Sequence, residues 1–158
     1  MELSFEEVAV YLGCGGEIGD ELKRRTLALI AEAPLEPRGV FLRDGVRFLL
    51  CGTVGGAFDR WQRRLAATGA ADALIAQAIG TAAVEKTMDG IERDIRATLA
   101  ERENLKMRRS PGYGEMGLQL NREIIERLDA PRRIGVSFTD SMTLLPTKSV
   151  TAVCEVVK

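Results

Sequence analysis

The stretch from residue 71 to residue 103 constrains this chain most. It holds no proline, and Leu74, Val84, Met88, Ile91, Ile95 and Leu99 fall on one stripe at helical periodicity. The pattern predicts a long amphipathic helix, the central element against which the rest of a 158-residue chain must pack. Gly80 and Gly90 interrupt it, each weakening the helix by up to about 1 kcal/mol relative to alanine.

The flanking elements are shorter. Ser4 with Glu7 three residues later forms a capping box, so a first helix is expected over residues 4–12. A second is expected over 17–33, carrying Ile18, Leu22, Leu29 and Ile30 and ended by Pro34 and Pro37. Two β-rich runs, 40–42 and 46–51, are joined by Asp44-Gly45, the pair a type I′ hairpin turn favours. A short helix is expected over 57–67, an extended segment over 105–109 and an amphipathic helix over 115–128. Ile134, Val136 and Phe138 alternate as a half-buried strand, and residues 150–157 read as a strand with Val150, Ala152, Cys154 and Val156 on one face. Helices and strands come in mixed order without a βαβ rhythm. The expected fold class is therefore α+β, a twisted, mainly antiparallel sheet flanked by helices, in a single domain over 1–158.

Composition narrows the chemistry. Lys and Arg number 22 against 23 Asp and Glu, a balance that disfavours a nucleic-acid or anionic-membrane coat. No apolar run approaches the roughly 20 residues of a membrane span, and the first residues, 1–7, are acidic and polar rather than leader-like. A soluble cytoplasmic protein is expected. There is no histidine, which removes the commonest general base and metal ligand and any Ser–His or Cys–His nucleophile pair. Cys14, Cys51 and Cys154 are too widely spaced for a zinc site or a disulfide framework, and read as buried or idle thiols in a reducing compartment.

Three motifs deserve weighing. The glycine run 13–19 follows a helix and lacks the G-x-G-x-x-G spacing, so it is no dinucleotide fingerprint. The run 52–56 has a strand before it and a helix after it; it can be an anion-holding helix start or, more simply, a close strand-to-helix turn. The densest signal is Arg108-Arg109-Ser110-Pro111-Gly112-Tyr113-Gly114. Proline then glycine at the two central positions is the signature of a type II turn. An arginine just ahead of it can offer a planar fork to a carboxylate. Turn backbone and the Tyr113 ring could complete a small-molecule pocket, while a purely structural turn stays open. Carboxylates Glu85, Asp89, Glu92 and Asp94 crowd the long helix, and periodicity does not single out Glu85 from Glu92.

Arg-x-x-Pro-Gly-Tyr at Arg108, Pro111, Gly112 and Tyr113 resembles the S-adenosylmethionine-binding motif of the cobalamin-dependent methionine synthase activation domain. Residues 137–150, from Ser137 through Pro146 to Val150, are similar to that family's Leu-Thr-Glu-Ser…Pro…Ser-Val segment, and Ala83-Val84-Glu85 to its helix with a ligand-binding glutamate. The resemblance is specific over residues 81–150; the N-terminal half agrees only in the order of its elements, and there it looks more like short stand-alone members of the family than the fused domain. The resemblance implies a twisted antiparallel sheet flanked by helices, and a role in reactivation. There, one electron from a flavodoxin-type donor and a methyl from S-adenosylmethionine restore methylcobalamin from cob(II)alamin. By motif it implies Arg108 on the methionine carboxylate and Glu85 on the ammonium side. The Ser110, Pro111 and Gly112 backbone would lie on adenine and ribose, and Tyr113 near ligand and corrin. The family's spacing selects Arg108 over Arg109, which should point the other way, to solvent or an acidic neighbour.

The family's N-terminal-arm aspartate and the tyrosine after its last motif have no counterpart here. A cobalamin-binding Asp-x-His-x-x-Gly motif is impossible without histidine. The resemblance thus implies an accessory component of a cobalamin-dependent methyltransferase, serving a methionine synthase that lacks its own activation domain, with cobalamin arriving only on that partner. The alternative is a non-catalytic docking module for corrinoid proteins that has lost the ligand.

Overall fold

The structure is a computed structural model and describes residues 1–13 and 18–158. Its frame is a four-stranded sheet, antiparallel throughout. Strands β1 (Arg38–Asp44) and β2 (Arg47–Thr53) form the hairpin, β6 (Ser149–Val157) pairs with β2, and the short β3 (Asn104–Leu105) closes the far edge. The hairpin turn differs from expectation by one residue. Asp44 pairs with Arg47, so Gly45 and Val46 are the central residues. Of these only Gly45 has positive φ, at 63°, the sign pattern of a type II′ turn rather than type I′.

Strand β2 is buried on both faces from Phe48 to Thr53 because helices cover both sides. On one side Val40, Leu49, Cys51 and Val153 meet Ile124, Ile125, Leu128 and Ile134 from α5 (Leu120–Leu128) and α6 (Ala130–Ile134). On the other, Phe48, Leu50, Ala152 and Cys154 meet Met88, Ile91 and Ile95 of α4 (Ala70–Arg96). As expected, Val150, Ala152, Cys154 and Val156 share one face of the last strand. Burial pushes the thiols of Cys51 and Cys154 up to about 12 and about 11. Cys14 lies outside the described residues, as does the centre of the glycine run 13–19.

Helix α4 is the hub, and it buries two different faces. Its C-terminal half lies on the sheet. Its N-terminal half turns Ile75, Ala76, Ile79 and Ala83 toward Val8, Leu29, Phe58 and Trp61 of α1 (Phe5–Ala9), α2 (Asp20–Glu32) and α3 (Gly56–Thr68). Ile79, which faces these helices, and Met88, on the sheet, are nine residues apart, about half a turn round the helix. A single stripe therefore misplaces Leu74, which is 53 % exposed. The helix ends at Arg96, short of the expected 103, where the Thr98 hydroxyl donates to the carbonyl of Ile95 at 2.7 Å.

The capping box at Ser4 and Glu7 forms as expected. The start of the second helix expected at residue 17 lies outside the described residues; α2 runs from Asp20. The helix expected from 115 begins only at Leu120, after the turns at Gly112 and Gly114. Ile134 is not in a strand. Asp129 takes φ 50°, Pro131 sits in the first turn, and a five-residue helix runs through Ile134 to Gly135 in the left-handed region. Ile134 and Val136 are both buried, so the alternation was real but its cause was a helix end. The strand there is only β4 (Ser137–Phe138), paired with β5 (Leu144–Leu145). Among the described residues no helix is long and apolar enough to cross a membrane.

Candidate functional site

The site begins where the chain leaves β3. Arg109 exchanges backbone hydrogen bonds with Val153, N to O at 3.0 and 2.9 Å, so the segment ahead of the turn is pinned beside β6. Ser110-Pro111-Gly112-Tyr113 then reverses the chain. The Tyr113 N–H donates to the Ser110 carbonyl at 3.4 Å and Gly112 has φ 92°, as a type II turn requires at its second central position. The Gly112 N–H also donates to Met116 O at 2.7 Å, closing a second loop.

The two arginines part as expected. Arg109 is solvent-facing and pairs with Glu155 at 2.7 Å. Arg108 turns to α4, its side chain 20 % exposed. There Nη2 donates to Glu85 Oε2 at 2.5 Å, while Nη1 donates to Asp89 Oδ1 at 2.6 Å and to Glu92 Oε1. Burial opposes its charge, but the bonds to Glu92, Asp89 and Glu85 outweigh that and raise its pKa. Positions 85, 89 and 92 share one flank of the helix, which is why all three reach one guanidinium. Asp89 and Glu92 were not singled out by sequence; their spacing was the signal, and what it lacked was the facing segment.

Glu85, Arg108, Ser110, Pro111 and Tyr113 line one cleft of about 1030 Å³. Gly112 is part of the turn at its edge, exposed, and the Tyr113 ring is 78 % exposed at the rim. The floor is made by residues not expected to line the site: Asn121 from α5, and Ser149, the serine of the matched 137–150 segment, and Thr151 from β6. All three are buried polar side chains held by one another or by the frame. Thr151 Oγ1 donates to Asn121 Oδ1 at 2.6 Å, Asn121 Nδ2 to Met142 O at 3.1 Å, and Ser149 Oγ to Thr53 Oγ1 at 2.8 Å. Their signal was visible in the last strand, where Ser149 and Thr151 alternate with the apolar face. A cleft with a guanidinium and a carboxylate side by side can hold both ends of an α-amino-acid zwitterion.

The run 52–56 is the close turn and not part of this cleft. Thr53 Oγ1 accepts from the Gly55 N–H at 3.1 Å and from Ser149, and the Val54 N–H donates to Lys148 O at 3.1 Å. The Val54 and Gly55 N–H groups are thereby used within the fold. Among the described residues no group of three or more His, Cys, Asp or Glu side chains is arranged to hold a metal ion.

Comparison with known proteins gives one kind of answer in sequence and another in structure. No protein-family model matches the chain. No curated protein matches it either. Among solved structures it is similar to the crystal structure of the MetH reactivation domain bound to AdoHcy, with a TM-score of 0.65 over 98 % of this chain and 77 % of that one, at 14 % identity. The chain has the fold of the MetH reactivation domain.

Proposed function

We propose that this protein binds S-adenosylmethionine and serves as a reactivation subunit for a cobalamin-dependent methionine synthase that lacks its own activation domain. The observation that carries the reading is the pairing of Arg108 with Glu85 beside the Pro111-Gly112 turn, at one cleft, in a fold shared with a domain solved with AdoHcy. The cleft volume, about 1030 Å³, suits a ligand of that size. Arg108 would hold the methionine carboxylate, and Glu85 would face the ammonium group. The backbone of Ser110, Pro111 and Gly112 would meet the adenine and ribose. Tyr113, at the rim, would cover the ligand where the partner's corrin approaches. When bound, the ligand supplies a sulfonium methyl group with a good leaving group. Moving that methyl to a cobalt nucleophile demands positioning rather than proton transfer, which a chain without histidine can provide. Cobalamin would arrive on the partner and the electron from a flavodoxin-type or similar reductant.

Calorimetric titration with S-adenosylmethionine tests the reading, followed by reactivation of a synthase truncated before its activation domain. Saturable binding that is lost in Arg108→Ala supports it. Absence of binding by the wild type, even with the cobalamin-loaded partner present, overturns it. One observation favours a second reading, a docking module without ligand: three N–H groups of Arg108 are already satisfied by α4 carboxylates. Capture of a corrinoid methyltransferase with no heat of ligand binding would identify that role.

A further inference from the structure

The cluster around Arg108 is asymmetric in a way that assigns different work to its three carboxylates. Of these only Glu85 lines the cleft; Asp89 and Glu92 reach the guanidinium from outside it. Both hydrogens of Nη1 go to Asp89 and Glu92, and one of Nη2 goes to Glu85. An arginine has five N–H donors in a fixed planar fork, so the Nε–H and one Nη2 hydrogen are not taken by α4 and are left over for a carboxylate. Glu92 is the buried member, its side chain 8 % exposed, and it is also held by Arg96 at 3.0 Å. A buried carboxylate at a helix–sheet contact is costly to desolvate and serves no packing need, so its place here rests on the charges it holds. Asp89, 65 % exposed, pays no such desolvation cost.

We infer that Glu92 is the positioning residue of this site: anchored by Arg96, it fixes the guanidinium of Arg108 so that its Nε–Nη2 edge is presented to an α-amino-acid carboxylate, and so makes the cleft selective for ligands with an amino-acid head. The inference rests on the S-adenosylmethionine reading for the identity of the ligand but not for the behaviour of Arg108. Glu92 does not touch the ligand. Its loss therefore lowers affinity only for ligands that use Arg108.

The test compares wild type, Glu92→Gln and Glu92→Met in binding two probes, S-adenosylhomocysteine and 5′-methylthioadenosine, which share the adenosine thioether but differ in the amino-acid head. The expected result is that both variants bind S-adenosylhomocysteine about tenfold more weakly and bind 5′-methylthioadenosine as wild type does, at a temperature where circular dichroism shows both variants folded. Parallel loss for both probes, or no loss for either, overturns the inference. A second measurement needs no ligand: nitrogen-15 spectra of the arginine side chains. Hindered rotation of the Arg108 guanidinium in wild type and its release in Glu92→Gln is expected; equal order in both overturns the positioning role. Should wild type bind neither probe, the functional reading falls while the spectra still decide what Glu92 does to Arg108.

Discussion

Arg108 and Glu85, 23 positions apart in sequence, meet at 2.5 Å with the guanidinium donating to the carboxylate. The contact joins the two segments that the resemblance to methionine synthase activation domains selected separately. It also puts opposite charges side by side at the wall of one cleft. Neither residue has a packing reason to be there, because Arg108 leaves β3 for a turn and Glu85 is half-exposed on the flank of α4.

Arg108 and Arg109 should separate cleanly in ligand binding. Arg108→Ala removes a partly buried carboxylate contact and is expected to cost about 2–4 kcal/mol of S-adenosylmethionine affinity. Arg108→Lys should recover little, because a point charge does not reproduce the planar fork. Arg109→Ala breaks only the exposed pair with Glu155, worth at most about 1 kcal/mol. Titration of the three variants checks the order; binding abolished at 109 and intact at 108 would show that the residue register is wrong.

The floor of the cleft should answer to paired substitution. Thr151 is 2 % exposed and its hydroxyl donates to Asn121. Asn121→Ala strands that hydroxyl and should lower stability by about 1–3 kcal/mol. Replacing both, Asn121→Leu with Thr151→Val, removes the stranded group and should recover most of the loss. Urea unfolding of the single and double variants measures it.

What was legible in the sequence was whatever is decided within a few residues. Ser4 with Glu7 specified a cap, and Pro111-Gly112 specified a turn type, because each depends only on local backbone needs. The Asp44-Gly45 signal placed the hairpin but missed its centre by one residue, since register is set by the pairing of β1 with β2 rather than by the dipeptide. Periodicity put Glu85 and Glu92 at a similar angle on the helix but could not say what faced them. That depends on β3 docking on β6, a contact between distant segments. Ile134 and Val136 show the opposite failure: both are inward, but through a helix end at Gly135 rather than a strand. The charge pair at the cleft was thus half-visible, as residue types without a geometry.

Acid should destabilise the fold through particular surface carboxylates. Hydrogen bonds from Arg127 and then Arg47 hold Asp44 down to about 2, and those from Arg43 and the Ala100 N–H hold Glu103 down to about 2. Their folded pKa values lie below the unfolded ones of roughly 4. The stability they contribute is therefore complete above the unfolded pKa and is lost as pH falls through about 4 toward about 2. Melting temperature should hold between about pH 7 and 5 and drop below about 4. Asp44→Asn and Glu103→Gln should each flatten that drop. High salt should shrink the difference, because these pairs are exposed.

Gly80 and Gly90 occupy the same helix, and propensity alone predicts that alanine at either would stabilise it by up to about 1 kcal/mol. Packing separates them. A Cβ at Gly90 would meet nothing nearer than an Arg93 Nη2 at 3.8 Å, so the propensity gain should appear in full. At Gly80 a Cβ would lie 2.6 Å from Phe58 Cε1 and 2.8 and 2.9 Å from the Lys148 side chain. Phe58 is fully buried and cannot withdraw. Lys148 is confined as well, with Nζ donating to Thr81 Oγ1 at 3.1 Å. Overpacking of this kind costs about 1–3 kcal/mol, which exceeds the helix gain. Gly80→Ala should therefore lower the unfolding free energy and Gly90→Ala should raise it, in chemical denaturation of the two variants side by side. Equal stabilisation by both would mean that α3 and α4 do not approach as closely at Phe58 as the structure places them.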